Sequence, residues 1–127
     1  MKNKFIKIGA VSGAIAVALG AFAAHALKEK LDAHSMSIFE TASKYHFYHT
    51  LALLLAAMLY QENHHKLSLW TCRFFSFGMV VFCGSLYALA ILGSAYSFLG
   101  AITPLGGTMF ILGWIFLFLS YRKKSLK

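Results

Sequence analysis

FFSFGMVVFCGSLYALAILGSAYSFLGAITPLGGTMFILGWIFLFLSY, residues 74 to 121, runs for 48 positions without a single Asp, Glu, Lys or Arg. As one continuous helix it would reach about 72 Å, more than twice the ~30 Å hydrocarbon core of a bilayer, so the run must be broken. The break is legible. Gly93-Ser94 opens a small, polar segment, and Thr103-Pro104 reads as an N-cap followed by proline at the first helical position, where the missing N–H costs nothing. Two spans are predicted, about 74–93 and 104–121. Two further uncharged runs, Ile8 to Leu27 and Tyr45 to Gln61, predict spans at about 6–27 and 45–60. The chain of 127 residues is 59% hydrophobic and 13% charged, whereas soluble domains carry about a quarter charged residues. The expectation is one all-α domain over 1–127, a polytopic membrane protein built as a four-transmembrane-helix bundle.

A formal charge of +8 does not point to nucleic acid, because the basic residues flank the spans instead of gathering on an aqueous face. Lys2, Lys4 and Lys7 precede the first span, Lys66 and Arg73 lie in the second connection, and Arg122, Lys123, Lys124 and Lys127 follow the last. The opposite side holds Lys28, Lys30 and Lys44, so the two sides carry nine and three basic residues. Positive-inside bias then puts both termini in the cytoplasm and the chain in the plasma membrane. Met1 to Leu27 imitates a secretory signal ending in Ala21-Phe22-Ala23, yet its apolar stretch of 20 residues exceeds a signal core of about 7 to 15 and reads as a retained span.

Small residues recur at four-residue spacing along the first span (Gly9 and Gly13; Ala16, Gly20 and Ala24), which favours close helix approach in lipid. Intrachain packing is the expected use, with homodimerisation through Gly9 and Gly13 as the alternative. The second helix is expected to start near Ser37, where Ser37-Ile38-Phe39-Glu40 has the form of a capping box. Glu40 and Lys44 have the spacing of a helical ion pair. His64 and His65 fall in a turn. Cys72 and Cys83 match neither a CxxC pair nor a zinc spacing and read as inert.

This alternation gathers His25, Tyr45, His46, Tyr48, His49, Tyr96, Thr103 and the Gly106-Gly107 pair at the outer leaflet. Imidazoles there raise a metal or haem reading, but no cysteine or carboxylate completes a ligand pattern, and neither metal nor cofactor is expected. A polar pocket is the alternative, with the outward amino ends of helices two and four favouring an anionic group or lipid phosphate. Ser-His-Asp sets, HExxH, phosphate loops and dinucleotide fingerprints are all missing, so no enzymatic activity is expected.

Four motifs then occur in order: Gly20-Ala21-Phe22-Ala23-Ala24-His25-Ala26-Leu27; Phe39-Glu40-Thr41-Ala42 with Tyr45-x-x-Tyr48-His49; Gly84-Ser85-Leu86-Tyr87; and Ile102-Thr103-Pro104-Leu105-Gly106-Gly107 with Gly113-Trp114. The chain resembles the YgdD/YwdK-like small bacterial membrane family, a domain of unknown function with transmembrane relatives in eukaryotes. The resemblance implies four transmembrane helices and supplies no activity. It ranks His25, Tyr48, His49, Ser85, Tyr87, Thr103, Pro104, Gly106, Gly107 and Trp114 as recurrent positions. The chain departs from the pattern with Ala23 for glycine, His46 for glutamine and Cys83 for serine, and His46 thereby leaves His25 and His49 as the pair to test. The leading expectation is a non-enzymatic accessory or structural component embedded in the lipid bilayer, with a lipid- or partner-binding cluster at its outer end formed by His25, Tyr48, His49, Ser85, Tyr87, Thr103, Gly106 and Gly107. A membrane-protein partner or a homo-oligomer would complete it. The runner-up is a small-molecule or ion carrier with a path along Ser76, Ser85 and Tyr87, and the third is a haem or metal redox protein using His25 and His49.

Overall fold

The computed structural model describes residues 4–121. Lys2, Arg122, Lys123, Lys124 and Lys127, which the orientation count used, lie outside the described residues. Four helical rods follow one another: α1 (Lys4–Leu27), α2 (Ala33–Asn63), α3 (Lys66–Leu92) and α4 (Leu99–Ser120), with no strand among the described residues. Three of them, α1, α3 and α4, are long and apolar enough to cross a membrane, and α2 is not among the three. The N-terminal half of α2 carries His34, Glu40, Lys44, His46 and His49, and these lower its apolar content.

Two rods contain one wide turn each, Ala23–Leu27 in α1 and Met79–Cys83 in α3, where the helix closes i→i−5 bonds such as Lys28 N–H to Ala23 C=O at 3.0 Å. A wide turn inserts one residue and rotates everything after it. In α3 the rotation helps turn Ser85 toward α4 and Tyr87 toward α2.

Helix starts differ from the sequence expectation in three places. Helix α2 begins at Ala33, capped by Asp32, whose Oδ1 accepts the Ser35 N–H at 2.8 Å. A carboxylate at the end of the short 28–32 turn satisfies the first orphan donors before Ser37 is reached. Ser37 is therefore interior, its carbonyl accepting the Thr41 hydroxyl at 3.1 Å, and the Ser37–Glu40 capping box does not form. Nor do Glu40 and Lys44 form an ion pair among the described residues. In α4 the first turn closes earlier than Thr103. Gly93 leaves α3 at φ +91°, a region open to glycine, and Gly100 N–H to Ser97 C=O and Ala101 N–H to Phe98 C=O start the new helix. Thr103 and Pro104 then lie inside α4 rather than at its cap. Helix α3 also starts eight residues before Phe74, at Lys66. Its cap is His65, whose Nδ1 accepts the Leu67 N–H at 3.0 Å, while His64 closes α2 at φ 53°. The histidine turn thus has a defined job.

Asp32 supplies a pH signature. The Ser35 backbone N–H, and after it the Ser35 hydroxyl, hold the Asp32 carboxyl below its ordinary value. A carboxyl depressed on folding stabilises above its unfolded pKa and loses that contribution as pH falls through its folded pKa. The protection factor of the Ser35 amide, its exchange rate relative to the unfolded chain at the same pH, is expected to fall on acidification below about pH 4 and to be low at every pH in Asp32→Ala; equal protection in that variant would contradict the cap.

Packing follows small residues. Gly9 and Ala16 of α1 are buried, Gly9 beneath Leu54 of α2, which is the intrachain use of the stripe. Helices α3 and α4 pair antiparallel in one register, with Ser85 beside Thr103, Phe82 beside Gly106, Phe75 beside Gly113 and Thr71 donating to Gly113 C=O at 3.1 Å. The core between α2, α3 and α4 is Leu53, Ala56, Cys72, Phe75, Met79 and Phe110. Both cysteines are buried and unbonded.

Candidate functional site

Two polar clusters are built on α2, whose His46 and His49 are buried three residues apart and look toward different neighbours. The first lies between α1, α2 and α3. His46 Nε2 meets Ser12 Oγ at 3.0 Å and His46 Nδ1 meets the Tyr87 hydroxyl at 2.9 Å. Ser12 Oγ also meets Thr50 Oγ1 at 2.6 Å, and both hydroxyls come within sulfur hydrogen-bond reach of Met79 Sδ, at 3.5 and 3.6 Å.

Proton accounting gives this cluster two self-consistent polarities. In one, Tyr87 donates to Nδ1, Nε2–H donates to Ser12, Ser12 to Thr50, and Thr50 to the Met79 sulfur. In the other, Thr50 donates to Ser12, Ser12 to Nε2, and Nδ1–H to Tyr87, which releases the Tyr87 O–H to donate to another acceptor, the Ser43 side chain being its hydrogen-bonding neighbour within the chain. Neutral imidazole supports both because each tautomer has one donor and one acceptor nitrogen. The cluster can therefore offer either a donor or an acceptor at Tyr87.

Tyr87, Ser12 and His46 line a groove of ≈ 340 Å³ between α1 and α3 whose remaining wall is largely apolar, including Val11, Ile15 and Val80. None of its lining residues carries a formal charge. It sits along the length of the rods, Ser12 lying eight residues after Lys4, and not at the end where the sequence placed the site.

The second cluster faces α4. His49 Nδ1 meets Tyr45 C=O at 2.9 Å and Trp114 Nε1 donates to His49 Nε2 at 3.0 Å. A carbonyl only accepts and an indole N–H only donates, so these partners fix the neutral Nδ1–H tautomer. The ring stacks on Phe110 with centroids 3.6 Å apart and meets Phe75 edge-on at 5.3 Å. A third, smaller contact joins Ser85 Oγ to Thr103 Oγ1 at 2.6 Å, with Phe82 C=O and Leu99 C=O as further acceptors.

The gathering expected from the sequence is thus divided. His25 is exposed on α1, and both nitrogens of His49 are already engaged, so the pair does not form a clasp or a shared ligand site. Tyr48 is 59% exposed and outside both clusters. Gly106 and Gly107 are packing positions on α4: a methyl on Gly106 would lie 2.7 Å from the Phe82 Cα, whereas one on Gly107 would meet the Phe82 ring at an ordinary 3.7 Å. Of the expected carrier path, Ser76 and Tyr87 line the α1–α3 groove and Ser85 does not. The amino end of α2, expected to favour an anion, is capped by the chain's own Asp32. No group of three His, Cys, Asp or Glu able to hold a metal occurs among the described residues.

Sequence reading missed Ser12, Thr50 and Met79. A signal was available for two of them: Ser12 is the one hydroxyl in the uncharged run from Ile8 to Leu27, and Thr50 follows His46 by four residues on the same helix face.

The profile of a family described as "Protein of unknown function (DUF423)" matches residues 19–107. A Haemophilus influenzae UPF0382 membrane protein is 42% identical over 127 residues, 99% of this chain and 100% of its own length. The UPF0382 membrane protein YwdK of Bacillus subtilis is 43% identical over 112 residues, covering 87% of this chain and 89% of its own. The UPF0382 inner membrane protein YgdD of Escherichia coli is 40% identical over 115 residues, covering 90% and 86%. No solved structure matches the chain. With motifs, helices and relatives in agreement along nearly its whole length, the chain belongs to the DUF423 family of UPF0382 membrane proteins.

Proposed function

We propose that the protein is a non-enzymatic component of the plasma membrane, crossing it four times with both termini cytoplasmic, and that its α1–α3 groove holds an uncharged amphiphile. The observation that carries this reading is the hydrogen-bonded His46–Ser12–Tyr87 cluster bordering a largely apolar lateral groove. Polar and ionisable groups within a membrane bundle are costly and mark functional sites by default. The uncharged lining favours a head with a hydroxyl or carbonyl over a phosphate or carboxylate, since a buried charge needs a partner. Either polarity of the cluster serves such a head, donating to a carbonyl or accepting from a hydroxyl at Tyr87. The rest of the groove would take the apolar body. Four crossings agree with the basic residues that flank the rods.

The probe is a long-chain alcohol bearing a diazirine, photolysed with the protein in phospholipid vesicles. Label is expected in the peptides holding Val11 to Leu19 and Met79 to Tyr87, and Ile15→Trp, which fills the groove, is expected to lower it roughly fivefold. Label spread evenly over the exposed faces of α1, α3 and α4, or unchanged by Ile15→Trp, would overturn the reading. A matched diazirine fatty acid labelling the groove better than the alcohol would overturn the preference for an uncharged head.

A further inference from the structure

The outward stripe of α2 changes character along its length. Its C-terminal half presents Leu51, Leu55 and Met58, all at least half exposed. Its N-terminal half presents Ser37, Glu40, Thr41 and Lys44 on the same side, all exposed, with Tyr48 at the junction. These positions recur at three- and four-residue steps, so they form one face.

The polar half stands at a depth where the neighbouring rods are apolar. Ser12 beside Thr50 and Gly9 beneath Leu54 fix the antiparallel register of α1 against α2. Equal rise along both helices then sets Lys44 level with about Ala18 and Glu40 level with about Phe22. On α4, the Tyr45–Phe110 and His49–Trp114 contacts set Glu40 level with about Leu105. Val17 is 60% exposed, Phe22 47% and Leu105 58%. Lipid that covers those side chains would also meet an acidic and a basic group with no partner in their own chain among the described residues.

We propose that a second copy of this chain covers the N-terminal half of α2, about a two-fold axis along the membrane normal. The face carries one formal charge of each sign, four residues apart, and is therefore complementary to itself. With two α2 helices side by side and parallel, Glu40 of each copy reaches Lys44 of the other over an axial offset of about 6 Å, in the manner of the flanking charges of a coiled coil. Such an isologous contact satisfies both charges twice and closes on itself. Thr41 and Ser37 fill the seam with small hydroxyl-bearing side chains, which lets the helices approach.

The inference rests on α2 lying within the bilayer, and the test separates the two. With Cys72 and Cys83 replaced by alanine, single cysteines are introduced and oxidised in native membranes: Thr41→Cys in the seam and Val17→Cys at the same depth on α1. Thr41→Cys is expected to yield disulfide-linked dimer of twice the chain mass, roughly fivefold more than Val17→Cys. In the Thr41→Cys background, E40K or K44E alone is expected to lower the yield severalfold and E40K with K44E together to restore it. Equal yields from Thr41→Cys and Val17→Cys would overturn the pairing whether or not the charge variants fold, as would a cross-linked product of any other mass. Reversals without effect, or no rescue by the double exchange, would remove the Glu40–Lys44 contact. If Lys4→Cys and Tyr121→Cys label from the same side while Thr41→Cys gives no dimer, the pairing alone fails; labelling from opposite sides removes the fourth crossing itself.

Discussion

Gly106→Ala is expected to destabilise the protein by about 3 kcal/mol, at the upper end of overpacking effects, while Gly107→Ala next to it changes stability by less than about 0.5 kcal/mol. The difference lies in what each methyl meets. At Gly106 the obstruction is the backbone of α3, its Phe82 Cα at 2.7 Å with the backbone nitrogen closer still, and backbone cannot rotate out of the way. At Gly107 the neighbour is a ring edge at 3.7 Å, in ordinary contact. Relief at Gly106 requires α3 and α4 to separate, which would loosen Ser85–Thr103 and Thr71–Gly113 on either side of it. Reversible unfolding in detergent micelles reads both variants. Equal stabilities for the two would mean that α3 and α4 do not approach as closely as described.

His49→Ala is expected to cost about 3 kcal/mol, combining the loss of a buried, stacked ring with an indole N–H left without its acceptor. Trp114→Phe removes the donor together with part of the ring that packs on Phe75, and is expected to cost about 1 to 2 kcal/mol. A double-mutant cycle with His49→Ala should then show a coupling of about 1 kcal/mol, because the two groups share one bond. His25→Ala is expected to fall within about 0.5 kcal/mol of the parent, as exposed positions do. A stability loss at His25 equal to that at His49 would restore the clasp that the sequence suggested and the structure does not contain.

The contrast between these two histidines shows what was legible in the sequence. Charge-free runs announced the apolar rods, because burial in lipid is recorded residue by residue in composition. The break after Leu92 was equally plain, since Gly93 supplies the backbone freedom that the turn uses. Helix starts were read late, at Ser37 and Thr103, because a good capping residue advertises itself whether or not an earlier one has already closed the first turn; Asp32 had. The candidate site was harder. Sequence order placed His25, His46 and His49 at one end, but which neighbour an imidazole meets depends on helix rotation, and two α2 positions three residues apart diverge by about 60° around the axis. That angle sends His46 to Ser12 and Tyr87, and His49 to Trp114. Setting His46 aside as a departure from the family pattern also hid the centre of the first cluster, and Ser12 with it.

The proposed four crossings require α2, with its polar first half, to pass through the membrane along with its three apolar neighbours. The most direct measurement labels Lys4→Cys and Tyr121→Cys, singly, with a membrane-impermeant maleimide in intact spheroplasts and again after permeabilisation, with Cys72 and Cys83 replaced by alanine. Four crossings predict that both positions are protected until the membrane is opened. One position labelled from outside and the other only after permeabilisation would mean an odd number of crossings, with α2 lying out of the bilayer.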